Sequence, residues 1–93
     1  MSKPGIWEVD MDSLMDVFAE VKAERERQES LWGQQNHEPL LWNAILGEEV
    51  GEVANAILER DPANYRTELI QVAAVAIAMV QSFDRNQTKE TRA

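Results

Sequence analysis

Leu69-Ile70-Gln71-Val72-Ala73-Ala74-Val75-Ala76-Ile77-Ala78-Met79-Val80 is apolar on nearly every side of a helical wheel, interrupted only by Gln71. A helix of this kind must be covered on every side. The chain predicts two further helices, too few to surround it. Ala73, Ala74, Ala76 and Ala78 are small enough to let neighbouring helices approach closely. The expected architecture is therefore all-α: three main helices, completed to a four-helix-type core by a homodimer or homotetramer.

Around this stretch the remaining elements follow from periodicity and punctuation. Residues 1–10 read as an irregular leader in which Ile6 and Trp7 pin to the body. Leu14, Val17, Phe18 and Val21 recur at helical spacing and predict a first helix over 12–30. Its inward stripe continues through Arg25, Gln28 and Trp32, so it turns polar where it should stay apolar. Those side chains either emerge into solvent or line a pocket. Trp32 to Pro39 reads as a loop broken by Gly33 and Pro39, and Pro39 opens a second helix over 39–59. Asp61-Pro62 reads as an N-cap followed by a first-turn proline, starting a third helix over 62–85. Residues 86–93 read as a polar, frayed tail. No strand alternation or repeat is present.

Composition narrows the function classes. The 93 residues make one domain, and 44% hydrophobic content suits a folded one. Cysteine is absent, which excludes disulfides, thiol catalysis and thiolate metal sites. Nine basic against seventeen acidic residues give a net charge of −8, repelling nucleic acid polymers and anionic membranes. The twelve-residue apolar run is shorter than a bilayer span, and Met1 to Gly5 has no signal-peptide apolar core. A cytoplasmic location is the expectation.

The chemistry concentrates in Gly47-Glu48-Glu49-Val50-Gly51-Glu52 and Thr67-Glu68-Leu69-Ile70-Gln71. No Lys or Arg lies between Gln28 and Glu59 to neutralise the first three glutamates. At the helical repeat, Glu48, Glu49 and Glu52 fall within about 80° of Leu41 and share its sector with Ile45. A short hairpin sets Glu68 opposite Glu52, both being roughly 11–13 Å from the turn, and places Gln71 near Glu49. Clustered, half-buried carboxylates need a positive charge among them. In so acidic a chain a divalent cation, Mg²⁺ with Mn²⁺ as substitute, meets that need through hard oxygen ligands. A solvated acidic face shows the same composition, but it would ordinarily carry basic partners one turn away. A ferritin-like di-iron site needs Glu-x-x-His pairs, and the single histidine, His37, lies outside both helices.

Glu48-Glu49-x-x-Glu52, then fifteen residues, then Glu68-x-x-Gln71 resembles the EExxE…ExxD signature of MazG-type all-α nucleoside triphosphate pyrophosphohydrolases. The runs from Arg25 to His37 and from Glu68 to Ala76 are also similar to short MazG-like proteins, so the resemblance covers about 14–83. It implies Mg²⁺-dependent cleavage of a (deoxy)nucleoside triphosphate between its α- and β-phosphates, often to clear unwanted nucleotides. It further implies Glu49, Glu52 and Glu68 as metal ligands, with Glu48 for a second metal or the attacking water. Gln28, Trp32 and His37 would hold the base, with Arg25 beside them. Gln71 departs from the signature's Asp: an amide oxygen can still ligate, but it brings no charge. Asp84 lies more than three turns further on and is poorly placed to replace it. Two other readings stay open, a phosphoribosyl-ATP pyrophosphohydrolase-like enzyme and a non-catalytic helical interaction module.

Overall fold

Among the described residues the chain forms three helices: α1 (Met11–Trp32), α2 (Pro39–Leu58) and α3 (Pro62–Arg92). The computed structural model describes residues 8–92, with side-chain surroundings up to 87. The expected pinning of Ile6 and Trp7 lies outside the described residues. α3 is the common partner. Both α1 and α2 lie along it, and their backbones do not approach one another.

Local signals account for the helix ends. Asp10 caps α1 by accepting from the Ser13 amide at 3.1 Å, and Asp61 caps α3 by accepting from the Asn64 amide at 3.1 Å. Pro39 opens α2 behind Glu38, whose side chain makes no cap bond. Gly33, at φ +71°, ends α1 by donating its N–H to the Glu29 carbonyl at 2.8 Å. α1 thus reaches Trp32, two residues past the expected end. α3 also overruns its expected end at 85, continuing to Arg92, because 86–92 contains no glycine or proline to stop it. By length and composition, Pro62–Gln87 would reach across a bilayer, so the twelve-residue argument does not exclude a span.

The α2–α3 turn uses a Schellman arrangement. Asp61 donates its N–H to the Ala56 carbonyl, and Arg60 donates to Ile57, both at 3.1 Å. This places Arg60 at φ +56°, in the left-handed region where glycine is usual.

The core is small. Trp42, Val75 and Ala78 form its centre, with Ile45, Leu46 and Met79 packed around them; Val21, Ala56 and Ala74 are also buried. Burial corrects two expected phases. On α2 the inward line runs through Trp42, whereas Leu41 is 51% exposed. On α1 Val21 and Gln28 point inward, while Phe18 and Trp32 are more than half exposed. Polar links tie α1 to α3: Arg66 binds the Glu20 carboxylate at 2.5 and 2.8 Å, and Arg25 donates to Gln81 at 3.1 and 3.3 Å. Arg85 holds the 33–38 loop through Asn36 and the Gln35 carbonyl.

Replacing Arg60 with glycine relieves the left-handed strain without disturbing either turn hydrogen bond. Arg60→Gly is expected to stabilise the fold by about 1 kcal/mol, read as a higher urea midpoint with an unchanged m-value.

Candidate functional site

Where the three helices meet, they leave a cleft of about 200 Å³. α1 lines it with Glu24, Arg27, Gln28 and Trp32; α2 with Trp42, Ile45 and Glu49; α3 with Gln71, Val75 and Ala78; and the loop with Gln35. The cleft exists because α1 and α2 each seat on α3 without closing on each other.

Glu49 is the most burdened charge there. It lies one turn beyond Ile45 on the inward face of α2 and is half-buried. Its carboxyl is pushed above the ordinary glutamate range, first by burial, then by the negative charges of Glu68, Glu52, Glu24 and Glu48. Gln71 sits between two of these acids. With its amide oriented to donate to both, the nitrogen is 2.9 Å from Glu68 Oε2 and 3.1 Å from Glu49 Oε2. The hairpin thus brings Glu49, Glu68 and Gln71 together, with Gln71 beside Glu49 as its distance from the turn requires. Glu48 and Glu52 are exposed, in contrast to the expected half-buried row of three. Trp42 takes the centre of the α2 face, so Glu49 alone of the three turns inward.

Among the described residues, no three Asp, Glu or His side chains converge closely enough to hold a metal ion as they stand. The donor chemistry still suits a hard divalent cation, since every available group is a carboxylate or amide oxygen.

Two residues beyond the motif complete the electrostatics. Glu24 is a fifth acid, its side chain only 12% exposed. The Arg27 guanidinium holds it below the usual carboxylate range, at 2.6 and 2.8 Å, with a further bond from Gln28. Arg27 also feels the charge of Glu49 and lies 6.0 Å from the Trp32 ring centre. The cation missing from the α2 sequence is therefore supplied by α1. Glu24 was legible as the i+3 neighbour of buried Val21, on the same α1 stripe as Gln28.

Of the expected base-binding residues, Gln28 and Trp32 line the cleft. Gln28 is buried, accepting from Arg25 at 3.1 Å and donating to Glu24 at 3.3 Å. Arg25 does not line the cleft; it stands behind Gln28, bound to Glu29 and Gln81. His37 also lies outside the lining, edge-on to Trp42 with ring centres 4.9 Å apart. Trp42 is 4% exposed, and its indole N–H has no partner although the residue lines the cleft. Lys22 and Arg66 are engaged with Glu26 and Glu20.

No family model, curated protein or solved structure matches the chain.

Because its pKa is raised, Glu49 takes up a proton more readily in the folded than in the unfolded chain. Its contribution is fully present below the ordinary glutamate range and is lost as pH rises through the raised value. Glu49→Gln is expected to raise Tm at pH 7 and to flatten the fall in stability above the ordinary glutamate range. Thermal melts of both proteins from pH 4 to pH 8 check this.

Proposed function

We propose that this chain is a Mg²⁺-dependent nucleotide pyrophosphohydrolase, releasing pyrophosphate from a (deoxy)nucleoside triphosphate. The observation that carries the reading is the pairing of Glu49 on α2 with Glu68 on α3 through Gln71, where three helices form a cleft with aromatic and amide lining. The glutamate spacing resembling the MazG-type signature supports it.

A cleft of about 200 Å³ is smaller than the roughly 300–1,000 Å³ of pockets for drug-sized ligands. It suits one heterocycle and leaves the phosphates at the carboxylate edge. Trp32 offers a ring face, Gln28 an amide and Trp42 apolar cover. Glu49 and Glu68 would hold the ion, with Glu52 and Glu48 as further oxygen donors on α2. When bound, the ion supplies charge neutralisation for the phosphates and lowers the pKa of a coordinated water. The chain's own part is to orient the base and gather negative charge where that ion is needed. Glu48, exposed beside Glu49, is the acid available to orient or deprotonate a water. Clearance of unwanted nucleotides, in the cytoplasm, is the role this activity would serve.

The Gln71 amide also favours a second reading. A donor shared by Glu49 and Glu68 relieves their repulsion without metal, as in a helical interaction module that has lost catalysis. The two readings separate experimentally. The enzyme is expected to release pyrophosphate from some member of a panel of NTPs, dNTPs and phosphoribosyl-ATP with Mg²⁺. Glu52→Ala or Glu68→Ala is expected to cut that rate by about 100-fold or more. Absence of turnover across the panel by a folded protein would leave the module.

Gln71→Asp gives an independent check. Without metal it adds a charge beside Glu49 and Glu68, so Tm should fall. With millimolar Mg²⁺ it should gain more Tm than the parent chain does. Equal Mg²⁺ responses in the two proteins would count against an ion at this position.

A further inference from the structure

A second opening continues the cleft. It is a groove of about 360 Å³ between α1 and α3, and it shares Glu24, Arg27 and Gln71 with the cleft. Along α3 from Val75 to Gln71 to Arg66, and along α1 from Gln28 to Arg27 to Glu20, the lining passes from cleft to groove. Gln71 stands at the boundary, beside the paired carboxylates of Glu49 and Glu68.

Two guanidinium groups line the groove, and both have donors to spare. Arg27 binds Glu24 through Nε and Nη2, and Arg66 binds Glu20 through Nη1 and Nη2. Each arginine thereby commits two of its five N–H groups and keeps three. Their side chains are 49% and 58% exposed, so an anion reaches them without any rearrangement of the helices. The glutamates leave the lining electrically even, but they also hold the two planar forks in place, which lowers the ordering cost of binding an anion there. Among the other described cations, Lys22, Arg25 and Arg85 line a different groove and Arg60 lies at the α2–α3 turn. Arg27 and Arg66 are therefore the cations that adjoin the junction of Gln71.

We propose that Arg27 and Arg66 form the subsite for the pyrophosphate half of a nucleoside triphosphate, an inference that rests on the pyrophosphohydrolase reading above. The base lies in the cleft, the α-phosphate at Gln71, and the remaining phosphates run into the groove. Arg66 is five residues from Gln71, about 7–8 Å along the helix, a span that two linked phosphates cover. In the reaction a water oxygen bonds to the α-phosphorus and its proton passes to Glu48. The bond from that phosphorus to the bridging oxygen breaks, and pyrophosphate leaves with the electron pair onto the arginines.

The two products report on the two ends of this track. The probe is the panel nucleotide turned over fastest, with Mg²⁺ in excess and with pyrophosphate or the matching monophosphate as inhibitor. Arg66→Ala is expected to weaken inhibition by pyrophosphate about 10-fold or more, with helical circular dichroism unchanged. Inhibition by the monophosphate should change less than about twofold, since that product ends at Gln71. Arg27→Lys keeps a charge beside Glu24 but gives up the fork, so it should weaken pyrophosphate inhibition as well. Glu20→Gln breaks the same bridge as Arg66→Ala yet keeps the cation, so pyrophosphate should bind at least as tightly as to the parent chain. If Arg66→Ala and Glu20→Gln weaken inhibition alike, or if both products lose it together, Arg66 only braces the helices and the inference falls. Pyrophosphate inhibition indifferent to Arg66→Ala overturns it too, and leaves the hydrolase reading standing. A folded chain that turns over no nucleotide overturns that reading first, and this inference with it.

Discussion

The described fold hangs on α3 being shared. α1 and α2 each find their apolar cover on it while their backbones stay apart, which is why a cleft survives where side chains of all three helices converge. The cleft therefore follows from packing, not from a loop laid over a finished core. Its walls are the same residues that join the helices: Gln28 from α1, Trp42 and Glu49 from α2, Gln71 and Val75 from α3. Arg66 on Glu20 and Arg25 on Gln81 add polar links between α1 and α3.

Electrostatics then sets what the cleft can do. Five glutamates act on one junction, and Glu49 carries the load because it alone on α2 turns inward. The junction has two sources of relief. Arg27 is the cation, but Glu24 takes both of its short hydrogen bonds. Gln71 provides donors without charge, and an amide cannot cancel the field of two carboxylates. The net result is a junction in which negative charge outweighs positive. That imbalance is the physical basis of the proposed metal site. Glu48 and Glu52 are exposed, so their electrostatic cost is modest.

Much of this was legible in the residues, and the limits have identifiable causes. Helix number, the Pro39 start, the Asp61 cap and the nearness of Gln71 to Glu49 followed from punctuation and from counting outward from a tight turn. A hairpin transmits register, so α2 and α3 could be set against each other. The α2 phase is ambiguous in sequence because Leu40-Leu41-Trp42 and Ile45-Leu46 offer several apolar lines about 100° apart, and in the fold it is Trp42 that is buried. The inward phase of Glu24 is readable on α1 itself, but the 33–38 loop carries no register from α1 to α2, so its meeting with Glu49 is not. Only the through-space meeting shows that α1 supplies the cation α2 lacks. α3 runs past the expected 85 because 86–92, though polar, contains nothing that breaks a helix.

The small core and the polar cleft have one origin. α3 gives Glu68, Gln71 and Ser82 to its inner side, and Ser82 is buried with its hydroxyl unpartnered. Those positions in an ordinary three-helix domain would carry leucine or isoleucine, each adding roughly 1.5–3 kcal/mol of burial. What holds the inner side is Ala74, Val75 and Ala78, small enough to bring α1 and α2 close and too small to stabilise much. A helix that gives one side to polar chemistry must recover its apolar burial on another. On α3 that side is the uncharged strip of Leu69, Ala73, Ala76, Val80 and Phe83. Gln71, at the carboxylate junction, and this apolar strip lie on opposite sides of α3, so cover over the strip would not touch the amide that Glu49 and Glu68 share.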